Sequence, residues 1–373
     1  MQEKTKILII GRTIYPSQFP RSFRATELAI ELAKNKKYDV TLYGVLGKFD
    51  YTDFEAKYNV KIKNIGKMFF ATLNSDGYSR NSVFDKFLWK IFNKLIEYPD
   101  IELIFKVLRV FRTELNCNVL ISVGMPYPIH WGCAFAKLKY SENFPNIWIA
   151  DCGDPYMGNK MVKRKPFFYF KYLEKLFCKA ANYITIPIEE SKSSYFPEFN
   201  NKIRVISQGF RMDKCIADNV YKKNSVPTFA YAGTFYKDIR DPRNFLDYLC
   251  TVEFDFKFIL YTENASLLVP YQNILKDKLI INNYVDREIL ILELAKMDFL
   301  INFENGTNVQ SPSKLIDYAL TKRPILSIPS GSLNIQLVKS FFEYDFAGQL
   351  ELKDLDKYNI KNVARQFEDL FLS

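Results

Sequence analysis

The recurring unit of this sequence is a short apolar run, then a polar loop, then a stretch of helical period. Lys6 to Gly11 (KILIIG) is such a run and reads as a buried parallel strand. Ser22 to Lys34 follows at helical period, with Leu28, Ala29, Leu32 and Ala33 on one face. Tyr38 to Tyr43 closes the unit as a second strand. A strand-helix-strand crossover of this length is parallel and right-handed. The pattern returns with strands at Asn118 to Val123, Asn146 to Ala150 and Tyr183 to Ile186, and helices near Ile129 to Lys139 and Phe167 to Lys179.

Ile203 to Ile206 and the Gln208-Gly209 turn lead into a polar stretch ending at Pro227, which marks a boundary. Alternation then resumes. Strands are expected at Phe229 to Ala232, Phe256 to Tyr261, Leu279 to Asn282, Phe299 to Asn302 and Pro324 to Ile328, with helices at 242–251, 286–296 and 313–322. This predicts an α/β protein of two doubly wound domains, 1–205 and 206–350, and a closing helix in 351–373 that packs back toward the first. Open α/β sheets bind ligands beyond the carboxyl ends of their strands, so two such domains facing each other would make a cleft.

Composition narrows the chemistry. One histidine in 373 residues excludes a three-histidine zinc centre and a His-Glu-x-x-His protease. No carboxylate cluster with His or Cys offers a metal site, so neither metal nor cofactor is expected. Lys and Arg number 52 against 42 Asp and Glu, a net charge of +10, which favours anionic partners. The basic residues are dispersed through the α/β pattern, and no nucleic-acid-binding module appears. Cysteines 117, 133, 152, 178, 215 and 250 never form Cys-x-x-Cys and read as free thiols of a reducing compartment. The start carries no signal-peptide pattern, and no run approaches a spanning helix. The expected location is the cytoplasm, including the inner face of a membrane.

Neither Gly-x-Gly-x-x-Gly nor the P-loop pattern occurs, which argues against dehydrogenases and P-loop ATPases. Five places carry candidate groups. Arg21 and Arg24 open the first helix, where free N–H groups favour anions; they read equally as solvated loop arginines. Asp151 and Asp154 in DCGDP follow a strand directly, at a binding edge or in an ordinary turn. His130 follows the strand ending at Val123 and reads either as a packing residue or as a site residue. A strand ends on Gly233, and Thr234 is followed by Lys237, Arg240 and Arg243 at three-residue spacing, cations suited to a diphosphate leaving group. In SPSKLID, Ser311 suits the N-cap and Pro312 or Ser313 the first turn. That helix start with Lys314 would hold a phosphate, and Asp317, one turn on, would reach a ribose diol.

In their order these blocks resemble the GT-B glycosyltransferases, especially the retaining family-four enzymes of bacterial surface-polysaccharide synthesis. The resemblance runs through ILIIGRTIYP, WIADCGDPY, RVISQGF, FAYAGTFYKDIRDPRNF, YVDREILILELAKMDFLINFENG and SPSKLIDYALTKRPIL. It implies two Rossmann-like domains facing across a cleft, with nucleotide sugar on the C-terminal domain and a glycan or lipid-linked acceptor on the N-terminal one. It places Lys237 or Arg240 as the basic pair at the diphosphate, Ser313 and Lys314 at the phosphate-binding helix start, and Asp317 as the second acid of Glu-x7-Glu. Gly233, Thr234 and Arg243 fall on the donor side; Arg21, Arg24 and Asp151 on the acceptor side. His130 matches a histidine near the reacting carbon, and Asp154 is the further group for orienting it. The chain departs from the family in having Val309 for the first acid, with Glu304 five residues before it. A nucleotide-sugar 2-epimerase of the same fold and an inactive transferase-like partner subunit are the alternatives.

Residues 83–96 (VFDKFLWKIFNKLI) carry aromatics on one face and Lys86, Lys90 and Lys94 on the other; 163–175 is a second basic-aromatic cluster. The pattern reads either as a helix that packs its apolar face into the domain with its lysines in water, or as an interfacial helix, which makes an anionic membrane surface the further partner expected.

Overall fold

The computed structural model describes residues 4–17, 19–69, 91–114, 116–159, 165–212, 220–237, 240–263, 265–283, 285–304 and 313–372 except 353. The chain divides into two compact units, 1–210 with 357–373, and 211–356.

Unit 1 is built on β1 (Thr5–Ile10), β2 (Tyr38–Gly44), β3 (Val60–Asn64), β4 (Val119–Val123), β5 (Ile147–Asp151), β6 (Tyr183–Ile186) and β7 (Ile203–Val205). They form one parallel sheet of order β3-β2-β1-β4-β5-β6-β7. The order reverses between β1 and β4, the topological switch point of the sheet. Its helices include α1 (Pro20–Ala33), α2 (Thr52–Tyr58), α3 (Glu102–Thr113), α4 (Pro128–Lys139) and α5 (Phe170–Ala180).

Side chains alternate across β1 as a strand dictates. Ile7 and Ile9 enter a layer with Leu28 and Leu32 of α1, while Leu8 and Ile10 enter the layer with Val107 of α3, Trp131 of α4 and Phe177 of α5. Both faces are covered, so the strand reads as a continuous apolar run rather than an alternating one. The terminal helix, Ile360–Leu372, puts Val363 and Phe367 into the α1 layer, so the end of the chain completes the core of the first unit.

Unit 2 holds β8 (Thr228–Ala232), β9 (Lys257–Tyr261), β10 (Leu279–Asn282), β11 (Phe299–Phe303) and β12 (Ile325–Ile328), parallel, in the order β10-β9-β8-β11-β12. The reversal falls between β8 and β11. This core is aromatic: Phe229 stacks on Phe299 at 4.8 Å and on Phe258 at 4.9 Å. Helices α6 (Arg243–Cys250), α7 (Val269–Leu275), α8 (Arg287–Leu294) and α9 (Ser313–Thr321) connect its strands, and α10 (Ile335–Phe342) follows β12; the terminal helix of unit 1 is α11.

Sequence reasoning passed over α2, β3 and α3. In β3 (VKIKN) lysines interrupt the apolar run because the strand lies at a sheet edge and keeps one face in water. Helix α9 begins at Ser313; Val309, Ser311 and Pro312 lie outside the described residues, as do Cys215, 83–90 and 163–164. The other five cysteines are free thiols.

Candidate functional site

Each unit has a switch point at the carboxyl edge of its sheet, and the two edges are furnished differently. In unit 1, Pro20 starts α1 and the three-residue spacing of Arg21 and Arg24 turns both toward β5. They converge on Asp151. Arg24 donates to both carboxylate oxygens, Nη2 to Oδ1 at 2.8 Å and Nε to Oδ2 at 3.1 Å. Arg21 donates to Oδ2 at 2.5 Å, and the Thr185 hydroxyl to Oδ1 at 2.7 Å. The guanidinium groups spend their remaining donors on backbone: Arg21 on the Gly124 and Asp151 carbonyls, Arg24 on Ser207 and Ile206. Arg24 also lies 5.0 Å from the Phe367 ring of α11. Burial alone would push Asp151 up, but Arg21 and then Arg24 outweigh it and hold the carboxyl well below the usual carboxylate range.

This corrects the acceptor-side expectation for Asp151 and Arg24. Their side chains are 1% and 2% exposed and their hydrogen-bonding capacity is taken up within the fold. A buried carboxylate bracketed by two cations is a structural tie, here joining α1, β5, β6 and the 206–207 segment. Arg21 keeps some exposure, 17%, and lies against Gly153, so of the three it is the one at the surface of the edge. Asp154 is half-buried, and its carbonyl accepts from the Tyr127 hydroxyl at 2.5 Å.

His130 has no accessible surface. Trp148 Nε1 donates to the Ser122 hydroxyl at 2.8 Å, and that hydroxyl lies 2.8 Å from His130 Nδ1. The other ring nitrogen, Nε2, lies 3.6 Å from Cys152 Sγ, so both nitrogens are engaged within the core. The ring stacks on Phe177 at 4.9 Å. Burial, reinforced by the Arg21 charge and opposed by Asp151, lowers the imidazole to about 3. The expectation of a histidine at the reacting carbon is corrected to a neutral core residue. A Cβ on Gly124 would stand 2.3 Å from Nε2, so the histidine shapes the turn after β4 from beneath.

The carboxyl edge of unit 2 is the opposite case. Gly233 follows β8 at φ +140°, a conformation side chains rarely adopt, and a Cβ there would lie 3.1 Å from the Tyr231 hydroxyl. The chain then turns tightly, with Tyr236 bridged to Arg240, and leaves Lys237 exposed. Across the switch point α9 starts at Ser313. Lys314 and Tyr318, four residues apart, face β8 together. The Tyr318 hydroxyl takes the Ala232 N–H at 2.8 Å, fixing the helix to the strand end, and Lys314 Nζ stands 4.4 Å from the centre of the Tyr231 ring. Phe235 stacks on the other side of that ring at 4.6 Å. Lys314 Nζ is buried with no hydrogen-bond partner among the described residues. Burial first, then repulsion from Arg240, holds Lys314 well below the usual lysine value. Tyr231 is pushed up to about 12 by burial, against the opposing influence of Arg240.

Two donor-side expectations change. Asp317 does not present a free carboxylate: Arg287 of α8 holds it at 2.6 and 2.8 Å. Arg243 is turned onto Asp241, with Nε 2.8 Å from Oδ1 and 3.0 Å from Oδ2, and the same Oδ1 accepts the Arg243 backbone N–H at the start of α6. Glu304, just past β11, accepts from the Ser327 hydroxyl at 2.8 Å, which in turn accepts from Asn302. Glu304 is thus the acid at this edge among the described residues that follow β11. Sequence reasoning missed Tyr318 and Arg287; the i, i+4 spacing of Lys314 and Tyr318 was the available signal. Among the described residues no group of three or more His, Cys, Asp or Glu side chains could hold a metal ion.

No family model and no curated protein matches the chain. Solved structures similar to it include a glycosyltransferase from Rickettsia africae ESF-5, 13% identical over 99% of this chain and 94% of that one, TM-score 0.58. Another is HepE of Anabaena in complex with UDP-glucose, 9% identical over 98% and 96%, TM-score 0.55. A third is UDP-GlcNAc 2-epimerase from Neisseria meningitidis bound to UDP-GlcNAc, 12% identical over 99% of both chains, TM-score 0.56. The fold is GT-B, with two Rossmann-like α/β units.

Proposed function

We propose that the chain is a glycosyltransferase that moves a sugar from a nucleotide diphosphate sugar to a glycan or lipid-linked acceptor. The observation that carries this reading is Lys314, a buried amine with no hydrogen-bond partner among the described residues, beside Arg240 at the switch point of unit 2. A buried charge is expensive unless paired, so the arrangement calls for an anion. A diphosphate at the start of α9 supplies it. When the bond from the anomeric carbon to the diphosphate breaks, its electron pair stays on the phosphate oxygen. Arg240 and Lys237 supply positive charge for that oxygen, and Lys314 donates to it. The acceptor hydroxyl attacks on the side the donor leaves, with retention and without a metal, and surface polysaccharide is the product class.

The test is a thermal-shift screen against nucleotide sugars followed by product analysis. A ligand at about one hundred times its dissociation constant adds about 2.7 kcal/mol. An α-linked product from an α-linked donor, formed in full in EDTA, is expected. A manganese requirement contradicts the metal-free part and an inverted product the retaining part. A 2-epimerase is the second reading, favoured by the likeness to the Neisseria enzyme. It predicts turnover of UDP-GlcNAc with no acceptor, and the neutral, inaccessible His130 argues against it. Nucleotide-sugar binding without turnover on any acceptor would point to an inactive partner subunit.

Peripheral attachment to the inner face of a membrane completes the reading. The Tyr169 hydroxyl donates to the Leu95 carbonyl and Lys94 stands 4.7 Å from the Phe167 ring, so the two basic-aromatic stretches share a surface on which Ile91, Phe92, Phe168 and Tyr172 are exposed. No helix among the described residues is long and apolar enough to cross a membrane. Co-sedimentation with anionic vesicles at low salt, lost at high salt, is expected; indifference to such vesicles at low salt contradicts it.

A further inference from the structure

Lys314 lies at the unit 2 edge with no counter-charge among the described residues. Part of its stem reaches the surface, but Nζ is sealed off and makes no hydrogen bond among the described residues. From β8 it faces the Tyr231 ring, and from the loop after β8 a second cation, Arg240. On its own helix Asp317 is held by Arg287. The segment leading into α9, 305–312, reads NGTNVQSP and contains no ionisable side chain. An amine so placed holds its proton less firmly than one in water, first because burial disfavours the ammonium and then because Arg240 repels it.

We propose that this edge binds its diphosphate together with one proton, which Lys314 takes up as the anion arrives. The inference rests on the donor-site reading above and adds a linkage that the reading alone does not require. An anion beside Nζ supplies the counter-charge and hydrogen bonds that the empty site lacks, and so favours the charged amine. The two phosphates of a nucleotide sugar are both esterified and do not titrate near neutrality, so the proton belongs to the protein. The sign is fixed by linkage. Below the lowered value of the empty site, Lys314 is charged with or without ligand and affinity is flat. Between that value and the higher one restored in the complex, affinity falls as pH rises, by up to about tenfold per pH unit for one proton. The empty domain thereby avoids carrying an uncompensated buried charge, and the ammonium appears where and when the leaving group needs it.

The experiment is isothermal titration of the full chain with UDP-glucose and with UDP-GlcNAc, in HEPES and in Tris, from about pH 7 to about pH 9. For wild type the observed enthalpies are expected to differ between buffers in proportion to the buffers' ionisation enthalpies, by an amount approaching about one proton. Lys314→Arg, which stays charged throughout, is expected to bind with no buffer dependence, and Lys314→Met to lose it along with affinity. Wild-type binding with equal enthalpies in both buffers across the range overturns the inference while leaving the donor site intact. Undiminished proton uptake in Lys314→Arg also overturns it. Failure of wild type to bind either nucleotide sugar overturns the donor-site reading itself, and this inference with it.

Discussion

The two sheet edges of this molecule begin from the same topology and end in opposite electrostatic states. At the edge of unit 1, two arginines and an aspartate close on one another, and every strong donor of Arg24 finds an acceptor within the fold. At the edge of unit 2, Lys314 and Arg240 share a region, and Lys314 Nζ has no hydrogen-bond partner among the described residues. The charges of the first edge are matched within the fold; on the proposed reading, a ligand matches that of the second. Position at a strand's carboxyl end therefore does not by itself make a charged residue functional. What separates the cases is whether the fold has already met the charge's demand for partners.

The comparison breaks first at Asp151. Asp151→Asn leaves two guanidinium groups without their carboxylate, and a loss of about 3–5 kcal/mol in unfolding free energy is expected in urea denaturation. A loss below about 1 kcal/mol would show that the cluster is not the tie described. Next in size is Gly124→Ala. The new methyl would collide with His130 Nε2, and both groups are locked by their neighbours, so a loss of about 1–3 kcal/mol is expected. Wild-type stability in that variant would mean that the turn is not packed on the imidazole.

Lys314→Met sharpens the contrast, because here removal of a charge should not destabilise. Its urea midpoint is expected to equal or exceed that of wild type, while nucleotide-sugar affinity drops by about 1–3 kcal/mol. Loss of stability with unchanged affinity would reverse the assignment. The smallest effect belongs to His130. Its value near 3 lies below that of an unfolded histidine, about 6.5. The stability it contributes is complete above about pH 6.5 and falls as pH drops through that window toward 3, with nothing at stake at neutrality. Since the chain has one histidine, its imidazole resonance can be followed without assignment. It is expected not to shift between pH 8 and the onset of acid unfolding; a midpoint near 6.5 would place the ring in water.

Much of the fold was legible. The runs KILIIG and FAYAG are strands because both of their faces are covered, which concentrates apolar residues enough to be seen. β3 was missed because an edge strand needs only one apolar face. The sites were less legible, and the reason is pairing. Arg21, Arg24 and Asp151 are separated by about 130 residues of chain, and nothing local in GRTIYP or DCGDP reveals that they meet. Likewise Asp317 reads as free in SPSKLID because its partner, Arg287, belongs to another helix. Lys314 stands out in the sequence because its setting is local: a helix start with a cation in the first turn. His130 was misplaced because a strand end followed by a helix start can hold a buried residue as readily as an accessible one.

The most direct test of the difference between the edges is hydrogen–deuterium exchange of the full chain with and without saturating UDP-glucose, read peptide by peptide. Protection is expected at the turn after β8, 232–243, and at the first turns of α9, 313–318, with no change across 20–25 and 150–154. Protection confined to 20–25 and 150–154, with the unit 2 segments unaltered, would contradict the account.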